Sequence, residues 1–243
     1  MASTSEIGHA KNVANFQDLI EFVTAYGATY NPSKNSLKLP QLIALKASAD
    51  ATLADVITKN TNYNNKVNER ITAFSGLKSL STRLVNALQT TDATTETIGN
   101  AKTFNRKMQG KKASSSQTPT DPNTPAPTTI STSQQSYDQL IQHLSGLTSV
   151  LEAETSYTPN ETDLQVATIQ AKIADLTAKN TAVATAYTSI SNSRITRNET
   201  LYSSTTGLVE TANEVKKYVK SVFGTSSPQF AQVKGIEFKK PKI

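Results

Sequence analysis

The feature that most constrains the fold is a row of apolar residues spaced at alternating steps of four and three, with no proline inside it. In the second half of the chain this row comprises Ile169, Ile173, Leu176, Asn180, Val183, Tyr187, Ile190 and Arg194, and it resumes through Leu201, Leu208, Val215, Tyr218 and Val222. In the first half a similar row comprises Leu42, Leu45, Ala49, Leu53, Val56, Asn60, Tyr63, Val67, Ile71, Phe74, Leu77, Leu84 and Leu88. A repeat of about 3.5 residues keeps one side of a helix against a neighbouring helix, as in a coiled coil. The spacing therefore predicts long helices that pack along narrow seams.

A segment of different composition separates the two rows. Residues 111–135 contain four prolines and many Ser and Thr, and Ile130 is their one aliphatic or aromatic residue larger than alanine. Such a segment cannot bury enough apolar surface to offset the entropy lost on ordering. It predicts a flexible linker.

The halves on either side of the linker resemble each other. Tyr30-Asn-Pro matches Tyr157-Thr-Pro, and Leu84-Val85 matches Leu208-Val209. Several changes in offset between such matches are close to whole helical turns, which keeps an apolar face pointing the same way. We therefore predict an internal duplication and an all-α fold, an elongated helical bundle built from two homologous helical repeats. The predicted segments are a first repeat at 1–110, the linker at 111–135, a second repeat at 136–224 and a basic tail at 225–243.

Within each half the pattern leaves the number of helices open. A shorter helix is expected before each long row, near 13–30 and 136–156, and ends at an Asn-Pro or Thr-Pro break. The region after it is either one long helix or a hairpin of two, in which the neighbourhoods of Arg70 and Arg194 would mark the turns. Gly110 and Gly224 are predicted to cap helix C-termini.

Three segments carry a resemblance to known proteins. They are Gly8-His-Ala-Lys-Asn-Val-Ala-Asn-Phe16, the Tyr30-Asn-Pro-Ser33 turn, and Ser221-Val-Phe-Gly224 followed by Ser227-Pro-Gln229. Together they resemble a family of uncharacterised bacterial proteins that are also duplicated, helical and divided by a hydrophilic linker. The resemblance covers most of the chain outside the linker. It implies the same architecture and no particular activity.

The residues that carry enzyme chemistry are scarce. The chain has no Cys, and its two histidines, His9 and His143, do not form a His-x-x-x-His pair, which disfavours thiol enzymes, iron–sulfur clusters and zinc sites. No Gly-rich phosphate loop or Gly-x-Ser-x-Gly elbow occurs. We therefore expect no catalytic residues, no bound metal, no cofactor and no enzymatic activity, with both histidines packed or solvated.

Positive charge is concentrated in two places. The net charge is +6, and the basic residues near the ends of the two predicted repeats form a candidate basic patch of Lys102, Arg106, Lys107, Lys111, Lys112, Lys216, Lys217, Lys220, Lys239, Lys240 and Lys242. One interpretation is binding to nucleic acid or to an anionic membrane surface. The other is that these cations complement the negative ends of helix dipoles.

The tail brings together apolar residues that have no counterpart at the end of the first repeat. They form a candidate assembly segment of Phe230, Val233, Ile236 and Phe238. Residues 233–238 suit a short extended segment, which either folds back on its own bundle or adds to a neighbouring subunit.

These features together indicate a structural or scaffolding protein that acts by helix-mediated self-association or by binding another protein. The alternative is a module that binds nucleic acid or an anionic surface through the basic ends of the repeats. No stretch approaches 18 uninterrupted apolar residues, so no transmembrane insertion is expected. No secretion signal is visible near the start of the sequence, so the expected location is the cytoplasm, with signal-independent export left open.

Overall fold

The computed structural model of this protein describes residues 4–110 and 135–241, where every regular element is a helix. Four helices precede the linker: α1 (Thr4–Ala25), α2 (Leu39–Phe74), α3 (Leu77–Leu88) and α4 (Thr95–Gln109). Four follow it: α5 (Tyr137–Ala153), α6 (Val166–Tyr202), α7 (Leu208–Phe223) and α8 (Pro228–Lys234). The predicted all-α class is confirmed. The predicted linker lies outside the described residues except for Gln135.

Each apolar row is divided between two helices. In the first half its members up to Phe74 lie in α2 and those from Leu77 lie in α3, and in the second half α6 ends at Tyr202 and α7 begins at Leu208. One helix along a whole row is therefore wrong. Arg70 and Arg194 themselves lie inside α2 and α6, and the turns follow them. The turn after α2 comes at Gly76, whose φ of 80° is left-handed. A residue with a Cβ adopts that conformation only at a cost, which makes glycine the suitable residue there.

The predicted helix ends at two other glycines are confirmed. Gly110 caps α4 with a φ of 73°, and Gly224 caps α7 with a φ of 90°. The amide of Gly110 bonds to Lys107 and that of Gly224 to Lys220, which satisfies one carbonyl at each helix end.

The helices form two compact units. The terminal unit consists of Met1–Tyr63 and Ala186–Ile243, and the central unit consists of Asn64–Thr185. The boundaries lie inside α2 and α6, so each unit contains residues from both predicted repeats. The repeats are therefore not the compact units of the structure, and their common origin stays a prediction.

Each unit has its own apolar core. The core of the terminal unit includes the fully buried residues Phe16, Leu19, Leu42, Leu201, Leu208, Val215, Val219 and Val233. The core of the central unit includes the fully buried residues Leu84, Leu88, Met108, Leu144, Leu147, Ile169 and Leu176. Both cores are dominated by aliphatic side chains, as the low aromatic content of the sequence requires.

A tyrosine closes the turn before each long helix in the same way. The Tyr30 hydroxyl donates to the Leu37 carbonyl at 2.7 Å, and the Tyr157 hydroxyl donates to the Leu164 carbonyl at 2.9 Å. Burial raises the pKa of both phenols, that of Tyr157 to about 12. Tyr30 and Tyr157 are also matched residues in the alignment of the two halves of the sequence.

A polar layer crosses the central unit at Asn180, one of the polar residues in the α6 row. Its Oδ1 accepts from Arg70 at 3.0 Å, and its Nδ2 donates to Asp138 at 2.7 Å. The Arg70 guanidinium also lies 4.1 Å from the centre of the Tyr137 ring. Polar residues in an apolar seam favour one register over others, because a shifted register leaves them unpaired.

Candidate functional site: the docked tail and its lysines

The C-terminal tail folds back on the terminal unit. Ser227 caps the start of α8 by accepting from the amide of Phe230 at 3.0 Å, and Pro228 occupies the first turn, where its missing N–H costs no hydrogen bond. Val233 is completely buried in the core of the terminal unit, and Ile236 and Phe238 are half-buried against it. The expectation of an extended segment from Val233 onward is wrong at its start, because Val233 lies in α8. Fold-back within the chain is the arrangement found.

Side chains of α1 hold the segment after α8, residues 236–240, by its backbone. Asn12 donates from Nδ2 to the Lys239 carbonyl at 2.7 Å and accepts on Oδ1 from the Lys239 amide at 3.0 Å. Asn15 donates to the Glu237 carbonyl at 2.6 Å. These contacts satisfy peptide groups that no regular element pairs, which is why a segment without secondary structure stays docked.

Lys216 of α7 holds the same segment from the other side. Its Nζ donates to the Ile236 carbonyl and lies 5.2 Å from the centre of the Phe238 ring. Phe238 in turn meets Phe16 edge to face at 6.5 Å between ring centres. Burial lowers the pKa of Lys216, with the nearby Glu237 acting in the opposite direction. Lys216, one residue of the predicted basic patch, is therefore engaged within its own chain.

The other described lysines of the patch in this unit are exposed. Lys217 and Lys220 lie on α7, with Lys220 Nζ 5.9 Å from the centre of the Phe230 ring, and Lys239 and Lys240 follow α8. The ion pair with Lys239, at 3.0 Å, holds the pKa of Glu237 below its usual value, and the charges of Lys11 and Lys216 lower it further. The sequence analysis did not include Lys11 in the basic patch. Lys11 lies on α1, far from the tail in sequence, and its charge reaches Glu237 only because the tail docks there.

The first basic cluster lies in the central unit. Lys102 and Arg106 are exposed on α4, whereas Lys107 is half-buried, with its Nζ 5.7 Å from the centre of the Phe104 ring. Lys111, Lys112 and Lys242 lie outside the described residues. Arg106 and Lys107 occupy the last turn of α4, where positive charge complements the negative end of the helix dipole.

The two histidines are both buried and lie in different units. His9 lies inside α1, not before the first helix as expected, and its Nδ1 shares a hydrogen bond of 2.6 Å with the Tyr202 hydroxyl. His143 lies on α5, and burial lowers its pKa, helped by the charge of Lys107. Within residues 4–110 and 135–241, no group of three His, Cys, Asp or Glu side chains is placed to hold a metal ion.

In the same part of the chain, no helix combines the length and the apolar content that crossing a bilayer requires. Comparison with protein-family models, with curated proteins and with solved structures finds no match.

Proposed function

We propose that this is a structural or scaffolding protein that associates with further copies of itself through the outer face of α2. The observation that supports this is a pair of exposed isoleucines on α2 of the terminal unit. Ile43 is 52% exposed and Ile57 is 67% exposed, and they stand fourteen residues, or two heptads, apart.

The surface around these isoleucines carries small side chains and paired charges. Between residues 43 and 61 the exposed residues on this side of α2 include Ala47, Ala51, Ala54, Thr58 and Thr61. Asp50 is also exposed, one heptad from each isoleucine, and it pairs with Lys46 at 2.7 Å. Small side chains let two helices approach closely, and the pairing of Asp50 with Lys46 limits the repulsion that two identical surfaces would otherwise meet. These properties favour a second copy of the chain as the partner, related by a two-fold axis.

The tail is a less favourable assembly element than the outer face of α2. Its apolar residues Val233, Ile236 and Phe238 pack on the core of their own unit, so their exchange between copies would first have to break those contacts. The isoleucines of α2 need no such opening.

Light scattering across a range of protein concentrations tests the proposal. The parent chain is expected to exceed its monomer mass of 26.2 kDa increasingly with concentration. A double variant, Ile43→Glu with Ile57→Glu, is expected to return the mass to the monomer value. The matched control, Ser48→Glu with Asn62→Glu, adds the same charge at the same spacing about 140° around the helix. It is expected to associate like the parent.

A parent chain that remains a monomer at every concentration rejects self-association. Equal loss of mass in the isoleucine variant and in the control attributes the effect to charge and rejects the outer face of α2 as the interface. Unchanged helicity by circular dichroism shows that each variant is folded.

A second candidate function, binding of a nucleic acid or an anionic membrane surface, is favoured by one specific observation. The docked tail places Glu237 and Lys239 near Lys11 of α1, in a unit in which Lys217, Lys220 and Lys240 are also exposed. Binding of this kind weakens steeply with salt, because each neutralised phosphate releases condensed counterions.

Retention on DNA and on anionic vesicles at about 50 mM salt, where screening is still weak, tests this candidate. Lys217→Gln with Lys240→Gln is expected to reduce retention, whereas Lys38→Gln with Lys78→Gln removes the same charge elsewhere and is expected to leave it unchanged. A parent chain that passes through both matrices rejects the candidate.

A further inference from the structure

The surface that holds the segment after α8 recognises it by its backbone. This surface, the tail site, consists of residues of α1 and of α7: Lys11, Asn12, Asn15, Phe16 and Lys216. Asn12, Asn15 and Lys216 together bond to one amide and three carbonyls of residues 236–239. Every polypeptide carries such groups, and proteins that bind extended peptides obtain affinity from bonds of this kind. The tail site is therefore able to hold a chain of another sequence.

The side chains of the docked segment define which sequence the site prefers. Ile236 and Phe238 are half-buried against the core of the terminal unit, whereas Glu237 between them is exposed. Side chains that alternate in this way are typical of an extended chain. Phe16 meets the Phe238 ring edge to face, and Lys216 Nζ lies 5.2 Å from the centre of the same ring. The site thus selects an aliphatic and an aromatic residue two positions apart.

The charges of the tail site favour an acidic residue between those two. The bond with Lys239 lowers the pKa of Glu237 most, and the charges of Lys11 and Lys216 lower it further. Lys239 belongs to the tail and leaves with it. Lys11 and Lys216 belong to α1 and α7, so their attraction for a carboxylate remains for any occupant.

The segment is able to leave the tail site while α8 stays in place. Gly235 follows the last residue of α8, and Val233 within that helix is completely buried in the core of the terminal unit. Residues 236–240 form no regular secondary structure, and their two apolar side chains are only half-buried. Segments with few buried apolar contacts open at a low cost in free energy.

We propose that the tail site binds an extended segment of another protein with the pattern aliphatic–acidic–aromatic, and that the chain's own tail blocks the site until such a partner displaces it. Attachment to the same chain gives the tail a high effective concentration. The tail of a second copy offers the same contacts without that advantage, so a partner with a better-matched segment is the occupant that displaces it. The site is independent of self-association through α2.

A full-length variant with a released tail tests the proposal. Ile236→Ser with Phe238→Ser removes both apolar contacts of the segment and leaves Val233 in the core. The probe is a fluorescent peptide with blocked ends, Ser-Gly-Ile-Glu-Phe-Ser-Gly-Ser, in which the flanking lysines of the tail are absent. Fluorescence anisotropy is expected to show saturable binding to the released variant. Binding to the parent chain is expected to be at least about tenfold weaker, because its own tail competes.

Matched changes locate the binding. Adding Asn12→Ala to the released variant is expected to weaken binding by about tenfold or more, since two backbone bonds are lost. Asn15→Ala removes one bond at a more exposed position and is expected to weaken it less. Asn192→Ala, at an exposed position of α6, is expected to have no effect. A peptide with Lys in place of Glu is expected to bind about tenfold more weakly, because it meets Lys11 and Lys216.

Three results would overturn the proposal: no binding to the released variant, equal binding to the parent, or equal binding of the Lys peptide. Circular dichroism verifies that each variant is folded. Exchange of tails between copies is examined in Ile43→Glu with Ile57→Glu, where the proposed α2 interface is removed and a monomer is expected. A dimer there that dissociates when the tail is also released would assign the site to a second copy and reject a different partner.

Discussion

Asn12 forms hydrogen bonds with both backbone polar groups of Lys239, accepting from its amide at 3.0 Å and donating to its carbonyl at 2.7 Å. The pairing imitates one rung of a β-ladder with a side chain in place of a strand. Because only backbone groups of Lys239 take part, the contact depends on where the tail lies and not on which residue occupies position 239.

Replacement of this asparagine is expected to release the tail. Asn12→Ala removes both bonds, together with a third from Nδ2 to the Tyr202 hydroxyl at 3.2 Å, from a site that is 3% exposed. We expect a loss of about 1–3 kcal/mol in the free energy of unfolding. Amide hydrogen exchange at Lys239 and tryptic cleavage after it should both accelerate.

Asn15→Ala is the control for that change. Asn15 makes a single bond to the Glu237 carbonyl in an exposed setting, so a smaller effect on exchange is expected. If Asn12→Ala leaves exchange at Lys239 unchanged, the side-chain pairing does not hold the tail.

The buried valine of α8 should contribute to the stability of the terminal unit. Val233→Ala is expected to lower the free energy of unfolding by about 2 kcal/mol, since two buried methyl groups are lost and a cavity remains. Val222→Ala makes the same change at a side chain that is 40% exposed, and a loss below about 0.5 kcal/mol is expected. Urea denaturation measures both. Equal losses would show that α8 does not pack as described.

Truncation after Gly224 removes α8 and the rest of the tail, and so tests whether the whole docked segment stabilises the terminal unit. If the tail added to a neighbouring subunit, one of the two arrangements that the sequence left open, this truncation would lower oligomer mass and leave the helices intact. The position of Val233 in the core predicts instead a loss of thermal stability. A truncated chain with the melting temperature of the parent would contradict that prediction.

Two glycines should respond in opposite ways to the same substitution. A Cβ on Gly146 of α5 would lie 2.3 Å from Cε1 of Phe104, so Gly146→Ala is expected to cost about 1–3 kcal/mol through overpacking. Gly99 of α4 has nothing within 4 Å of such a Cβ, and Gly99→Ala is expected to stabilise by up to about 1 kcal/mol through helix propensity.

Combining Gly146→Ala with Phe104→Ala tests whether the cost comes from the contact between residue 146 and the Phe104 ring. Phe104→Ala should remove most of the cost of Gly146→Ala, so the two changes should be strongly non-additive. Additive losses in a double-mutant cycle would exclude a direct contact between the ring and the glycine.

Alkaline pH should destabilise the chain through its buried tyrosines. Burial raises the pKa of Tyr157 from 10.0 to about 12, so the folded state holds this proton more tightly than the unfolded state does. The corresponding stability is complete below pH 10 and is lost as the pH rises toward 12. Melting temperatures measured from about pH 9 to pH 12 should fall less steeply for Tyr157→Phe than for the parent. Tyr187→Phe, at an exposed ring, should follow the parent curve.

The sequence predicts where helices form better than it predicts which residues of the two repeats occupy equivalent positions. A shift of one heptad returns an apolar row to the same face, so residue matching does not distinguish neighbouring heptads. Leu84-Val85 was matched with Leu208-Val209. In the structure Leu208 begins α7, but the residue that begins α3 is Leu77, one heptad before Leu84.

The candidate sites depend on contacts that periodicity does not reveal. Lys11 and Glu237 are separated by nearly the whole chain, and only the docked tail brings the charge of Lys11 close enough to lower the pKa of Glu237. Lys107 and His143 lie on opposite sides of the linker, so their proximity depends on the packing of α4 against α5. The sequence identified Lys216 as basic, but its burial follows from the path of the tail.

The position of the unit boundaries at Tyr63 and Ala186, inside the two long helices, has a consequence for cutting the chain. A break within residues 111–134 yields one piece with α1 to α4 and another with α5 to α8, and neither piece holds all the residues of either unit. The proline-rich segment, the natural choice for dissecting the protein, is thus a poor place to divide it into autonomous fragments. Separately produced halves should stay incompletely folded until mixed, and a nicked chain should purify as a non-covalent pair.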